Sequence, residues 1–270
     1  MVWTIVYTLK FERLKVPVYG VDGKPIDETE LPEIFSLMVR KDLIRRAFHS
    51  AFTARLQPKG RDPLAGKRTT ARSWGVGHGM ARVPRLPNGR AAFVSFARGG
   101  HRAFPPRPDK RIHEEINRKE MAYAIASALA ATAKPEFVRA RGHIFSAENL
   151  PIVVDDVEES ITRARDAREF LKKIGVWEDI ERARRRTRIR AGRGKMRGRR
   201  YVEPRSVLFV LNSVSSGFAL AVRNMPGVDV TTPNLLNILY LAPGGVPGRL
   251  AVYTRSALEA VASKYKVVTL

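Results

Sequence analysis

Two rhythms of apolar and polar positions run along this chain. Residues 41–55 repeat apolar side chains every three or four positions. Leu43, Ile44, Ala47, Phe48, Ala51 and Phe52 fall on one stripe, with Arg40, Lys41, Arg45 and Arg46 along its flank, the period of an amphipathic helix. Asn117 with Glu120 three residues on has the spacing of a capping box. It opens a second helix that turns Met121, Ile125, Ala128 and Leu129 inward and stops at Pro135. A third helix buries Ile161, Ala164, Ala167, Leu171 and Ile174 and ends at Lys172-Lys173 and Gly175. The carboxylates of Asp155, Asp156, Glu158 and Glu159 are expected at its start, facing the positive end of the helix dipole. Residues 150–154 and 207–211 are apolar without alternation, as in strands covered on both faces. Further on, helices are expected near 218–224, 234–241 and 256–264, and strands at 228–230 and 249–253. At the N-terminal end, residues 3–9 are rich in aromatic and β-branched types, 16–19 are extended, and Gly20-Val21-Asp22-Gly23 is a turn signal. This predicts a short N-terminal β-hairpin. Strands alternating with helices predict an α/β fold: an open, mostly parallel sheet flanked by helices in three layers, with right-handed crossovers.

Residues 57–111 follow neither rhythm. They hold eight Gly and seven Pro in 55 positions. A stretch of that length without periodicity, inside a compact domain, is either disordered or functional. Trp74, Phe93, Phe96 and Phe104 are interleaved with arginines there, and rings between cations suit stacking on unpaired bases. The expected organisation is therefore one α/β domain over residues 1–270, with 57–111 inserted as an extended arm that orders against its partner.

Charge sharpens that picture. The chain carries 49 Lys and Arg against 26 Asp and Glu, a net of +23. Residues 57–111 account for +11, and a second segment, residues 182–205, for another +11. The rest is nearly neutral. The two segments contain 21 Arg and only 4 Lys, whereas the remainder contains 14 Arg and 10 Lys. Arg grips phosphate with a planar fork and stacks on bases, so a local Arg excess points to nucleic acid.

Catalytic chemistry finds no support. There is no Cys, which removes disulfides, thiolate catalysis and Cys-ligated metals. His49, His78, His101, His113 and His143 have no metal-ligand spacing, so no metal site is expected. Gly192, Gly194 and Gly198 fail the dinucleotide spacing. Gly66-Lys67 is followed by Arg68, not Ser or Thr, and so fails as a P-loop. No cofactor, small-molecule substrate or membrane is expected as a partner. The N-terminus lacks a signal-peptide pattern and the longest small-apolar run is too short to span a bilayer, so a cytoplasmic protein is expected. An RNA-modifying enzyme and a DNA-associated chromatin protein are the competing classes.

Longer motifs carry a resemblance. Residues 69–85 read Thr-Thr-Ala-Arg-Ser-Trp-Gly-Val-Gly-His-Gly-Met-Ala-Arg-Val-Pro-Arg, and 99–106 read Gly-Gly-His-Arg-Ala-Phe-Pro-Pro. Residues 189–199 read Ile-Arg-Ala-Gly-Arg-Gly-Lys-Met-Arg-Gly-Arg, and Pro32-Glu33-Ile34-Phe35 and Asp42-Leu43-Ile44-Arg45-Arg46-Ala47 precede the arm. In this order they resemble the universal large-subunit ribosomal protein family "L four", in its archaeal and eukaryotic form. The resemblance implies a structural, non-enzymatic constituent of the large ribosomal subunit. Its arm would thread into ribosomal RNA, with a tip near residues 72–85 helping to line the nascent-peptide exit tunnel. The implied partners are ribosomal RNA, neighbouring ribosomal proteins and the nascent peptide. The RNA-binding residues expected in the arm are Lys67, Arg68, Arg72, Trp74, His78, Arg82, Arg85, Arg90, Arg98, His101, Arg102 and Arg107. In the second segment they are Arg188, Arg190, Arg193, Lys195, Arg197, Arg199 and Arg200.

Overall fold

The computed structural model describes residues 3–7, 14–156 and 160–269. The chain divides into two compact units: Met1–Phe52 with Glu115–Leu270, and Thr53–Glu114.

The first unit opens with β1 (Trp3–Tyr7), β2 (Lys15–Tyr19), β3 (Pro25–Glu30) and α1 (Lys41–Thr53). It resumes with α2 (Arg118–Thr132), α3 (Pro135–Ala140), β4 (Ile152–Val154), α4 (Ala164–Lys173) and α5 (Trp177–Arg186). A small hairpin comes next, β5 (Arg188–Ile189) and β6 (Tyr201–Val202). The chain then runs through β7 (Leu208–Val210), α6 (Gly217–Val222), β8 (Asp229–Thr231) and α7 (Ile238–Leu241) to β9 (Ala251–Thr254), α8 (Arg255–Lys264) and β10 (Tyr265–Thr269). A six-stranded sheet has the order β3-β2-β4-β9-β7-β8. Only the edge pair β2–β3 is antiparallel.

The unbroken apolar runs are explained by the two cores. On β4, Val153 points into one and Ile152 and Val154 into the other; β7 and β9 divide the same way, Tyr253 opposite Val252 and Val210 opposite Phe209. Helices α1, α2, α7 and α8 close the first core; α4, α5 and α6 close the second. This is the three-layer α/β architecture the pattern predicts. Helix α2 is buried on most of its circumference, from Ala122 to Thr132. Its small side chains let it lie close to its neighbours, so its predicted stripe residues Met121 and Ile125 are only half-buried.

Several local expectations differ. The N-terminal hairpin is made by β2 and β3 around the Gly20–Gly23 turn, while β1 pairs in parallel with β10, Trp3 opposite Tyr265. Residues 8 and 9, expected in the first strand, lie outside the described residues, as do Glu158 and Glu159. Helix α4 starts at Ala164, later than expected, so Asp155 and Asp156 do not lie in its first turn; Asp166 does. The Asp156 carboxylate instead accepts from the Ser256 amide (3.3 Å) and hydroxyl (2.7 Å) in the first turn of α8. Ala164 is exposed, and Phe170 fills the core beside Leu171. Asn117 caps α2 by accepting from the Lys119 amide at 2.9 Å, and Glu120 ion-pairs with Arg46 at 3.0 Å. Pro135 both stops α2 and begins α3.

One charged group is buried at the edge of the sheet's parallel core. Arg249, at 0 % exposure, lies just before β9. It pairs with Asp229 at 2.8 Å and donates to the carbonyls of Ser206 (3.0 Å), Tyr240 (2.9 Å), Gly227 (3.3 Å) and Val207 (3.4 Å). It therefore clamps the leading ends of β7, β8 and β9. Burial drags its pKa below the ordinary guanidinium value, while Asp229 pulls the other way.

Candidate nucleic-acid interface

Helix α5 delivers the second basic segment. Its first turn carries Glu178 and Asp179 and its last turn Arg184, Arg185 and Arg186, each charge at the end of the helix dipole that favours it. Asp179 is fully buried. It accepts from His143 Nδ1 (2.9 Å), the Ile144 amide (3.0 Å) and Arg182 Nε (2.8 Å). Burial alone would raise its pKa, but these donors hold it below the ordinary carboxylate value. His143 is pushed below its ordinary value by burial, against the pull of Asp179.

The segment is therefore tied at both ends. Arg182 is spent on Asp179 and on the Arg205 carbonyl (2.8 Å), and Arg205 pairs with Asp229 at 2.8 Å, the carboxylate that also holds Arg249. Between these anchors runs the β5–β6 hairpin. Arg190 braces it: its amide donates to the Arg200 carbonyl (2.7 Å) and its Nε to that of Arg199 (3.0 Å). Arg200 lies 5.8 Å from the centroid of the Tyr201 ring. Arg188, Arg193, Lys195, Arg197 and Arg199 are exposed, and among the described residues their side chains have no partner in the chain. Arg184 and Arg186 share that condition but were not among the expected contacts. The charge run alone could have included them, since they extend it by one helical turn.

The unit Thr53–Glu114 is built differently. No residue from 54 to 114 is buried. Its regular structure is two isolated bridges, Arg72 with Arg85 and Arg85 with Ala91. Near its two chain ends the Arg61 amide donates to the Pro106 carbonyl at 3.3 Å, and Asp62 holds Arg68 through both terminal guanidinium nitrogens. That pair keeps Asp62 below the ordinary carboxylate range. Farther along, two stretches of backbone cross. A Cβ on Gly66, which has φ +79, would lie 2.5 Å from the Gly100 carbonyl carbon, so only glycine fits. His101 hydrogen-bonds the Phe93 carbonyl through its amide (3.2 Å) and Nδ1, with the two rings 5.1 Å apart.

Within the same unit, Trp74 and His78 meet edge-on at 5.8 Å. Arg85 Nη1 donates to the Gly89 carbonyl (2.7 Å) and Arg90 Nη2 to that of Arg98 (3.1 Å). These two arginines brace the backbone of this stretch and keep further N–H donors free. Lys67, Arg72, Arg82, Arg98, Arg102 and Arg107 are exposed, and among the described residues their side chains have no partner in the chain. Phe96 and Phe104 stand out at 77 % and 90 % exposure. Phe104 sits in a shallow cleft of about 540 Å³ with Arg102, Arg107 and Lys110. Unneutralised forks beside open aromatic faces can hold phosphate and stack bases.

The family model for the ribosomal protein L4/L1 family matches residues 29–264. The chain belongs to the ribosomal protein L4/L1 family. Among members similar to it is the large ribosomal subunit protein uL4 of Aeropyrum pernix, 57 % identical over 263 residues, covering 96 % of this chain and 97 % of the relative. The protein of the same name from Methanocaldococcus jannaschii is 51 % identical, covering 94 % and 100 %. That from Sulfurisphaera tokodaii is 48 % identical, covering 96 % and 97 %. The L4/L1 match spans both units of the chain, as the motif resemblance anticipates. Among the described residues no cluster of three His, Asp or Glu could hold a metal ion, and no helix is long and apolar enough to cross a membrane.

Proposed function

We propose that this chain is a structural, non-catalytic constituent of the large ribosomal subunit in the cytoplasm. It is held by ribosomal RNA through residues 57–111 and 182–205, and residues 72–85 help to line the nascent-peptide exit tunnel. The observation that carries this reading is a stretch, residues 54–114, with no buried side chain and a row of unpaired arginines. Ordering a residue's backbone costs about 1–2 kcal/mol, and a segment without a core has little to set against that cost. A polyanion supplies what is missing, because phosphate contacts fix position and yield affinity. The α/β unit then serves as the anchor. Its own arginines at both ends of the β5–β6 hairpin are neutralised by Asp179 and Asp229, which leaves the intervening cations directed outward.

Salt dependence tests this. If about ten phosphates are neutralised, affinity for large-subunit RNA falls by roughly 10⁵ between 50 and 200 mM salt. A flat filter-binding titration refutes the electrostatic account, and duplex DNA competing as well as structured RNA refutes the choice of nucleic acid.

A further inference from the structure

The basic flank of α1 lies outside both cationic segments. Lys41 and Arg45, one helical turn apart, are exposed, and among the described residues neither pairs with a carboxylate. Like charges at that spacing disfavour a helix. Of the nearby carboxylates, Asp42 is held by Arg40 at 2.6 Å and Glu120 by Arg46 at 3.0 Å, while Glu136, exposed on α3, forms no ion pair with them.

The turn from Pro243 to Gly248 brings a third cation to this flank. It packs on α1, where a Cβ on Gly245 would lie 3.5 Å from Arg45 Cα, and on α3, where one on Gly248 would lie 2.5 Å from the Phe137 carbonyl carbon. Lys41 Nζ stands 5.2 Å from the centroid of the Phe137 ring. Half-buried Arg141 ties the turn down: its Nη2 donates to the Pro243 carbonyl at 2.6 Å and its Nη1 to that of Val246. Arg182, Arg205 and Arg249 are each matched by a carboxylate. Among the described residues Arg141 is matched by none. Burial, with Arg249 and Arg182 nearby, drags its pKa down to about 10. Carbonyl dipoles offset only part of the cost of drawing a charge out of water, and the guanidinium keeps N–H donors to spare. The counter-charge is left for a partner to supply. Of the turn's side chains Val246 alone is apolar and exposed. Such a face suits phosphates, which charge can grip unaided, better than a protein segment, whose interface has an apolar core.

We propose that Lys41, Arg45 and Arg141 form a third phosphate-binding face, taking the backbone of an RNA strand outside residues 57–111 and 182–205. That the phosphates belong to RNA rests on the proposed ribosomal role; the unmatched charge does not. Filter binding of large-subunit RNA by the full chain, between about 50 and 200 mM salt, measures it. Each lost phosphate contact makes the log–log salt slope shallower by about one, so Lys41→Gln/Arg45→Gln should flatten it by about two with an unchanged urea midpoint, and Arg141→Gln by about one. Lys172→Gln/Lys173→Gln, an equal loss of charge at exposed positions of α4, should leave the slope nearly as it is. An unchanged slope in the first double variant, or equal flattening by both double variants, overturns the proposal; the exposed pair decides even where the Arg141 variant unfolds. A photo-cross-linking residue at position 45 in purified large subunits should reach ribosomal RNA. Cross-links to protein alone, or none, overturn the proposal. A flat titration of the wild type fails the RNA reading and takes this face down with it, whereas a steep wild type with an unaltered variant fails this face alone.

Discussion

The substitution Arg249→Met isolates the anchor of the second basic segment. Methionine keeps much of the side chain's length and removes the guanidinium. Four backbone carbonyls, those of Ser206, Val207, Gly227 and Tyr240, lose a donor, and Asp229 loses its buried partner. Breaking a buried ion pair from one side costs about 3–5 kcal/mol, against a total stability of about 5–15 kcal/mol for a folded domain. With a urea slope of about 1–3 kcal/mol per molar, the unfolding midpoint should fall by roughly 1–5 M. The mechanism also predicts a partial rescue. Adding Asp229→Asn removes the carboxylate charge that Arg205 alone would have to neutralise, leaves that guanidinium an oxygen, and should restore about 1–2 kcal/mol. Urea denaturation followed by circular dichroism reads both values. A loss below about 1 kcal/mol for Arg249→Met, or a double variant weaker than the single, refutes the view that this guanidinium ties β7, β8 and β9 together.

Acidification should weaken the same unit. The folded state holds His143 and Asp179 below their ordinary values, so the unfolded chain takes up protons first, near pH 6.5 for His and about 3.9 for Asp. Stability is therefore fully present above about pH 6.5 and declines as pH falls, the first loss belonging to His143 and the second, nearer pH 4, to Asp179. Urea midpoints at pH 7.5, 6 and 5 should drop in that order, and His143→Asn should flatten the trend; a flat wild-type profile contradicts it. Deleting residues 61–106 should leave the α/β unit folded within about 1 kcal/mol: no residue in that span is buried, and Arg61 and Pro106 are already hydrogen-bonded to each other, so the ends can be joined. Loss of the cooperative transition in the deleted protein contradicts this.

The parts of the fold legible in the sequence are those where burial sets the pattern. β4, β7 and β9 stand out as apolar runs because both of their faces are covered, and α1 through its stripe. The elements that escaped have another kind of pattern. β3 is an edge strand of carboxylates without alternation, and α5 reads as a charge run because only Asp179, Ile180 and Ala183 face inward. β10 follows α8 without an intervening residue, so no turn signal separates them. The cationic segments were visible from charge counts alone. Counting could not distinguish Arg182, Arg205 and Arg249, which hold the sheet, from Arg188 or Arg193, which face outward. That difference depends on where Asp179 and Asp229 lie in space.

The pairing of β1 with β10 has a consequence for synthesis. Trp3 waits for Tyr265, so an earlier segment of the growing chain has no strand to join until one some 260 residues later has come out after it. Every intermediate length of the growing chain carries that segment without its partner strand. Emergence of β10, and not any earlier milestone, is what closes this part of the structure, so a product cut short before it is recognisable by an unpaired β1.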